Sequence, residues 1–320
     1  MHQSVARSRP LLSVMVITYN HEPYIRAAMD SILQQQVNFP IEIVVGEDCS
    51  TDGARAILRE YETRHPAIIR ILARERNLGV SHNWESTLQA CRGKYIALLE
   101  GDDYWTAPHK LQQQVDFLEA HSDYSLCFHN ARVVYEHAQP PRASHPMTRH
   151  AHSAFTLDDV TRDWSIATAT VVFRRELLRE IPAWVHESVV VDLPTFALLA
   201  SRGRVNYWPE EMSVYRVNSG SVTNTEQQEA FLLGLARMHD YLDKELDFTC
   251  HRNLTVKIAN NYASLAGLMN NEGKYTAARK YLFQSWRMRA AIRALPTREE
   301  VKALAISLCP ALYRIARCRF

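Results

Sequence analysis

Apolar and polar positions follow two alternating periods along the first third of the chain. Short runs rich in β-branched and aliphatic residues predict strands, and segments with apolar residues three and four apart predict helices. The predicted order is strand, helix, strand, helix, strand, helix, strand, over residues 11–19, 24–36, 41–45, 54–65, 68–72, 81–91 and 95–99. This alternation is typical of a parallel sheet wound by right-handed crossovers.

The fourth predicted strand ends in a group of carboxylates. Glu100, Asp102 and Asp103 follow its apolar run, with Gly101 among them. Unpartnered carboxylates are costly to bury, and α/β proteins bind ligands beyond the carboxyl ends of their strands. Glu100 and Asp102 lie on the same side of an extended chain, and hard divalent cations choose such oxygen ligands and share them with substrate phosphates. The alternative is an acidic turn of solvated side chains.

The middle of the chain predicts a less regular pattern. A helix is expected over 108–121, an exposed loop over 137–152, and strands over 125–134, 189–191, 205–208 and 212–217. In the loop, His150 and His152 could form a metal pair, although no third ligand is evident. Asp192 stands between the apolar strand 189–191 and an apolar helix over 196–200.

Beyond about residue 225 only helices are predicted. They cover 227–246, 255–269, 275–288 and 299–320, and the pair around the turn 270–273 resembles one tetratricopeptide hairpin. Pro310 should break the last helix, which ends in Arg314, Arg317 and Arg319. A basic amphipathic helix can lie on an anionic membrane surface, or it can pack on its own domain.

Composition narrows the function classes. The 320 residues are 47% hydrophobic with a net charge of +2, which gives no general case for nucleic acid binding. Scattered cysteines, a polar N-terminus and the lack of a long apolar run predict a cytoplasmic protein without signal peptide or membrane span. No G-x-G-x-x-G and no P-loop sequence occurs, so a phosphate ligand would need a metal and basic side chains.

Five segments occur in an order that resembles the family 2 glycosyltransferases of the GT-A fold. They are residues 13–20, 42–53, 77–79, 93–105 and 214–216, and the resemblance covers about residues 11–222. It implies an α/β GT-A fold, a Rossmann-like, mostly parallel sheet flanked by helices, with a C-terminal α-helical extension. The expected organisation is a polar tail (1–10), a GT-A domain (11–225) with a nucleotide-sugar half (11–105) and an acceptor half (106–225), and a helical region (226–320).

The resemblance implies roles for residues of the nucleotide-sugar half. Thr18 and Tyr19 match the end of the first strand, where the family holds base and ribose, and Asp48 matches the acid that hydrogen-bonds the base. Asp102 matches the metal ligand of the D-x-D motif, which holds Mg²⁺ or Mn²⁺. Glu100 replaces the usual first aspartate and would reach the ribose or a metal-bound water.

In the acceptor half, Asp192 matches the acid that serves as the base, and Arg216 matches a basic residue near the diphosphate. The chemistry needs such groups, because a base must accept the proton of the attacking hydroxyl and cations must stabilise the leaving diphosphate. The alternatives are a helix N-cap for Asp192 and a surface ion pair with Glu210 or Glu211 for Arg216. Asn218 occupies a position where members often carry a metal-contacting histidine.

The resulting hypothesis is an inverting, metal-dependent glycosyltransferase of surface polysaccharide or lipopolysaccharide synthesis. Its partners would be a nucleotide diphosphate sugar, a glycan or lipid-linked acceptor and, through the C-terminal basic helix, the inner face of the membrane; no oligomeric state is predicted. One alternative is a metal-dependent nucleotidyltransferase, which would release pyrophosphate. Another is a non-catalytic nucleotide-sugar-binding or assembly module.

Overall fold

A computed structural model describes residues 9–136, 141–148, 153–163, 165–218 and 228–309. The chain forms two compact units, residues 1–186 with 191–219, and residues 187–190 with 220–320. The predicted limit at residues 225 and 226 falls outside the described residues, as do His150 and His152. The division of the larger unit into two functional halves stays a prediction.

A ten-stranded sheet runs through the described part of the larger unit. Its strands are β1 (Leu12–Thr18), β2 (Ile41–Glu47), β3 (Ile69–Ala73), β4 (Tyr95–Glu100), β5 (Tyr104–Trp105), β6 (Tyr124–Tyr135), β7 (His145–Pro146), β8 (Ala154–Phe155), β9 (Val172–Arg174) and β10 (Arg204–Val217). The order is β3-β2-β1-β4-β9-β6-β10-β5, with β7 on β6 and β8 on β10. β1–β4 are mutually parallel, β10 is parallel to β6, and β9 runs antiparallel between β4 and β6. The predicted mostly parallel α/β sheet is confirmed.

Six helices of this unit flank the sheet or connect its strands. They are α1 (Ile25–Leu33), α2 (Ala54–Arg64), α3 (Val80–Ala90), α4 (Lys110–Ala120), α5 (Leu157–Arg162) and α6 (Asp192–Ala200). α1 shows how pattern becomes packing, because Ile25, Ala28, Met29 and Ile32 lie on one face and are fully buried. They join a core with the inward side chains of β1, β2 and β4.

Two predicted elements are wrong. Residues 189–191 form no strand, and α6 begins at Asp192 instead of residue 196. Pro194 is tolerated there because the first turn of a helix has no partner for its backbone N–H groups. The two strands expected over 205–208 and 212–217 are one strand, β10, whose register on β6 shifts between Trp208 and Glu211. Pro209 lies within that shift, where a residue without an N–H does least harm.

The smaller unit is helical in its described residues, as predicted. Its helices are α7 (Gln228–Glu245), α8 (His251–Asn271), α9 (Tyr275–Ala291) and α10 (Arg298–Leu308). α9 and α10 are joined by an ion pair between Arg289 Nε and Glu300 Oε2 at 2.8 Å, with both side chains buried. No helix within the described residues has the length and apolarity to cross a membrane. Pro310, Arg314, Arg317 and Arg319 lie outside the described residues.

Candidate active site

Three neighbouring parallel strands end at one edge of the sheet. Thr18 of β1 is in register with Glu47 of β2, and Ile17 is in register with Glu100 of β4. The next residue after β2, Asp48, donates its backbone N–H to the Thr18 carbonyl at 3.0 Å. The structure therefore brings Thr18, Asp48 and Glu100, which were predicted from three separate segments, to the same edge.

Asp48 organises the loop before α3. Its Oδ1 accepts the Leu78 N–H at 2.8 Å, its Oδ2 accepts the Gly79 N–H at 3.0 Å, and its carbonyl accepts Asn77 Nδ2 at 3.1 Å. Gly79 has a φ of 80°, which favours glycine. The buried Asp48 carboxylate thus fixes segment 77–79, and contact with a base stays a prediction.

The neighbouring acid, Glu47, is fully buried, and its negative charge is balanced by an arginine. Its Oε2 lies 2.5 Å from Arg55 Nε, and its Oε1 accepts the Ser50 N–H at 2.6 Å. These contacts hold the β2–α2 loop in place. Tyr19, one residue past β1, is 43% exposed and is available at the same edge.

Gly101 separates β4 from the acids and leaves no room for a side chain. A Cβ at this position would lie 2.6 Å from Thr18 Oγ1 and 2.8 Å from His21 Nδ1. Both of these atoms are buried without a hydrogen-bond partner among the described residues. Close contact between the β1 and β4 loops therefore depends on glycine.

Asp102, the predicted metal ligand, faces the site instead of bulk solvent. Its carboxylate accepts Asn218 Nδ2 at 3.0 Å and lies 3.8 Å from His21 Nε2, and its side chain is 17% exposed. Asn218 thus reaches Asp102, the predicted metal ligand, from the position that often carries histidine. The sequence analysis missed His21, which follows the sharp turn at Asn20 (φ 57°).

Glu100 and Asp103 lie on either side of Asp102 in the sequence. The ionised form of both side chains is disfavoured. Burial, followed by the charges of Asp102 and Asp192, raises the pKa of Glu100 to about 8, although a hydrogen bond with Thr168 acts in the opposite direction. Burial, followed by the charges of Asp102 and Glu100, raises the pKa of Asp103 well above its usual value. Asp103 Oδ1 accepts the Arg216 backbone N–H at 2.8 Å, and its Oδ2 has no partner among the described residues.

Asp192 joins this group from a distant part of the sequence. It is the first residue of α6, and its Oδ1 accepts the N–H of Leu193 at 2.8 Å. Val191 occupies the N-cap position, so the N-cap alternative is wrong in its position, although the carboxylate does bind the first turn. Burial raises the pKa of Asp192 to about 6. A small cavity beside it is lined by Val160, Asp163, Ser165, Ile166, Leu193 and Phe196.

Arg216 supports the acid loop. Its Nη1 donates to the Asp102 carbonyl at 2.6 Å, and its Nε lies 3.2 Å from Glu136 Oε1. Its guanidinium stacks over the rings of Tyr24 and Tyr104, at 5.2 and 4.4 Å from the ring centroids. The alternative of a surface pair with Glu210 or Glu211 is wrong, since Glu211 pairs with Arg132 at 2.6 Å. An ion pair does form, but with Glu136.

Tyr215 is a site residue that the sequence analysis missed. Burial, then the charges of Glu100, Asp103, Asp102 and Asp192, raises the pKa of its hydroxyl. All four carboxylates of the acid group thus act on the charge of this one hydroxyl. Its place beside Arg216 on β10 gave no indication of this, because neighbouring strand residues point to opposite faces.

The donor set fits a divalent cation held mainly through Asp102. Several carboxylates with raised pKa values converge without an equal number of cations, and a buried oxygen of Asp103 has no partner among the described residues. Mg²⁺ and Mn²⁺ are commonly bound by one or two carboxylates together with substrate phosphates. The described residues contain no ready cluster of three acidic, histidine or cysteine ligands. A cation at Asp102 would therefore need oxygens of the substrate.

Comparison with known proteins gives one family. The model of Glycosyl transferase family 2 matches residues 13–181, more than half of the chain. An uncharacterized protein of Mycobacterium tuberculosis is 38% identical over 206 residues, which are 64% of this chain and 58% of that protein. The chain thus spans less than two thirds of that relative. TuaG of Bacillus subtilis, provisionally named a teichuronic acid biosynthesis glycosyltransferase, is 29% identical over 69% of this chain and 85% of its own length.

Among solved structures, the fold resembles S. aureus TarS 1–349 in complex with UDP-GlcNAc. The TM-score is 0.64 at 20% identity, over 96% of this chain and 87% of that one. At this identity the likeness shows the fold alone, and it confirms the predicted GT-A architecture. The likeness extends through the helical C-terminal region, because it covers nearly the whole chain.

Proposed function

Because the chain belongs to glycosyl transferase family 2, we propose that it transfers a sugar from a nucleotide diphosphate sugar to an acceptor hydroxyl with inversion. One observation carries the proposal. Asp192, far along the sequence, lies close enough to Glu100 for its charge to raise the pKa of that acid at the tip of β4. An acid for the acceptor and acids for the donor therefore share one site.

Asp192 is the proposed catalytic base. An inverting transfer needs a group that takes the proton from the attacking hydroxyl on the face opposite the leaving group. A pKa of about 6 leaves this carboxylate mostly ionised at neutral pH, while making it a stronger base than an ordinary aspartate. The N–H of Leu193, which donates to Asp192 Oδ1, orients the carboxylate at the start of α6.

The donor side is proposed to lie along the ends of β1, β2 and β4. Thr18, Tyr19 and Asp48 would contact the nucleoside, and Glu100 would contact the ribose or a metal-bound water. Arg216 would place positive charge near the diphosphate, since its guanidinium is held against the Asp102 carbonyl. A Mg²⁺ or Mn²⁺ ion at Asp102 would neutralise the charge that develops on the leaving diphosphate.

The biological setting is proposed from the relatives. TuaG is provisionally named for teichuronic acid biosynthesis, and TarS was solved with UDP-GlcNAc. We infer that the chain acts in cell-surface polysaccharide or lipopolysaccharide synthesis, with a hexosyl or deoxyhexosyl donor and a glycan or lipid-linked acceptor. A cytoplasmic location, with contact to the inner face of the membrane through the segment after residue 309, would bring it to such acceptors.

The test is release of nucleoside diphosphate from a panel of nucleotide sugars with Mn²⁺ or Mg²⁺. Asp102→Asn is expected to remove metal-dependent binding of the nucleoside diphosphate, read by thermal shift. Asp192→Asn should keep that binding and lose transfer. Full activity in both variants would refute the site, and release of pyrophosphate from a nucleoside triphosphate would indicate a nucleotidyltransferase instead.

A further inference from the structure

The face of α9 that points away from its own unit carries an exposed aromatic ring between two cations. α9 buries Leu282 and Arg289 on one side. Lys280, Phe283 and Arg287 fall on the opposite stripe, because residues three and four apart share a helix face. The Phe283 side chain is 64% exposed.

The loop from α9 to α10 also combines exposed apolar and cationic side chains. Leu295 is 86% exposed, and the exposed Arg293 and Arg298 lie on either side of it in the sequence. Residues 275–298 contain six lysines and arginines and no aspartate or glutamate. One of the six, Arg289, is neutralised by Glu300. We call Lys280, Phe283, Arg287, Arg293 and Leu295 the α9 face.

A cleft of about 510 Å³ opens beside Phe283. It is lined by Thr276, Arg279, Lys280, Tyr281, Phe283 and Gln284. The walls combine cationic and aromatic side chains, and the hydroxyl of Tyr281 donates to Glu229 Oε1 at 2.7 Å. Arg279 is anchored at its inner side, where its Nη1 donates to the Ser307 carbonyl at 2.7 Å.

We propose that the α9 face docks on an anionic lipid surface. Phe283 and Leu295 would enter the headgroup region, where exposed apolar side chains gain most by leaving water. The cations of the α9 face would meet lipid phosphates, to which basic residues near a membrane are attracted. This site lies within the described helices, so it does not depend on the membrane contact proposed for the segment after residue 309, nor on the catalytic assignment.

Charge and apolarity together favour lipid over other occupants. A second copy of this face would bring like charges together, which disfavours association. The phosphates of a nucleic acid would pair with the cations of the α9 face. They would not give the exposed Leu295 side chain an apolar environment, which the headgroup region of a bilayer provides. An anionic bilayer surface matches both kinds of side chain.

The experiment is co-sedimentation of the full chain with vesicles of phosphatidylcholine alone or mixed with phosphatidylglycerol. Binding is expected only with the anionic vesicles and should weaken as salt rises. Each basic residue removed should lower partitioning about fivefold, so Lys280→Gln with Arg287→Gln should lower it about 25-fold. Phe283→Ser should lower it about tenfold, because a phenyl ring no longer leaves water.

Matched controls lie on the same unit. Arg237→Gln with Lys244→Gln removes the same charge from exposed positions of α7, and Phe248→Ser removes a ring that is 57% exposed. Both should bind vesicles like the unchanged chain. Equal binding to neutral vesicles, or an equal loss in the controls, would overturn the proposal. So would a vesicle-independent dimer that Phe283→Ser dissociates, or a short RNA that binds through these residues while vesicles do not.

Discussion

The pH dependence of sugar transfer tests the role of Asp192 most directly. Its pKa of about 6 means that the carboxylate is about nine tenths ionised at pH 7 and about one tenth ionised at pH 5. If Asp192 is the base, kcat at saturating metal and donor should therefore fall about tenfold between these values. An aspartate with an ordinary pKa would stay more than about nine tenths ionised at pH 5, and the same rate would hardly change.

The substitution Asp192→Asn isolates the proton acceptor. Asparagine keeps an oxygen that can accept the Leu193 N–H, so the start of α6 should be preserved. Transfer should fall by about 10²–10⁴, the usual contribution of a positioned base. Binding of donor with metal should persist, because the substitution leaves Asp102 and its contacts with Asn218 and His21 in place.

The assay is release of nucleoside diphosphate with the donor found in the panel, measured from pH 5 to pH 8. Asp116→Asn is the control, because it makes the same substitution at an exposed position of α4 in the same unit. It should reproduce the unchanged profile. A flat rate down to pH 5, or an Asp192→Asn protein with the original rate and profile, would refute the assignment of the base.

Three further predictions concern the geometry and charge of the two units. Gly101→Ala should weaken binding of nucleoside diphosphate with Mn²⁺ by about tenfold or more in calorimetry, because its Cβ would meet Thr18 Oγ1 at 2.6 Å, whereas Gly267→Ala, with open space around it, should not. Because burial and neighbouring charge raise the pKa of Glu100 to about 8, this binding at pH 7 should release protons, seen by calorimetry in two buffers, and Glu100→Gln should lower the release by about one proton. Arg289→Met should lower the free energy of unfolding by about 3–5 kcal/mol in urea, because Glu300 is left buried without its cation and keeps only the Ser285 hydroxyl and the Thr297 N–H as donors, and adding Glu300→Leu should restore part of the loss.

The strands that end beside Thr18, Asp48 and Glu100 could be predicted because their signal is local. β1, β2 and β4 are mostly apolar, as is usual for strands of a parallel sheet covered on both faces. The run 189–191 has the same composition but forms no strand. Its Val189 side chain packs against Gly234 of α7, where an added Cβ would lie 2.4 Å away. Local composition predicts burial there, but the partner that provides it is 45 residues further on in the sequence.

The sequence predicts which acids belong to the site, but it does not predict which side chains surround them. Carboxylates after a strand indicate a ligand site, so Asp102 and Glu100 were found from the sequence. Tyr215, Tyr24 and His21 were missed because their importance depends on which way a side chain points. The same limit explains the wrong partner for Arg216. The register shift around Pro209 decides which residues of β10 lie opposite which residues of β6. Glu211 of β10 pairs with Arg132 of β6.

The electrostatics of the acid group gives the site an order of events. Without a ligand, Glu100 and Asp103 hold protons more tightly than ordinary carboxylates, because burial and mutual repulsion disfavour their ionised forms. Arg216, whose Nη1 donates to the Asp102 carbonyl, is already shared with Glu136. Added positive charge would relieve this repulsion, whereas a diphosphate without a cation would increase it. The donor is therefore expected to bind as its metal complex, and Asp192, whose charge remains after Glu100 is neutralised by protonation or by a cation, is free to act on the acceptor.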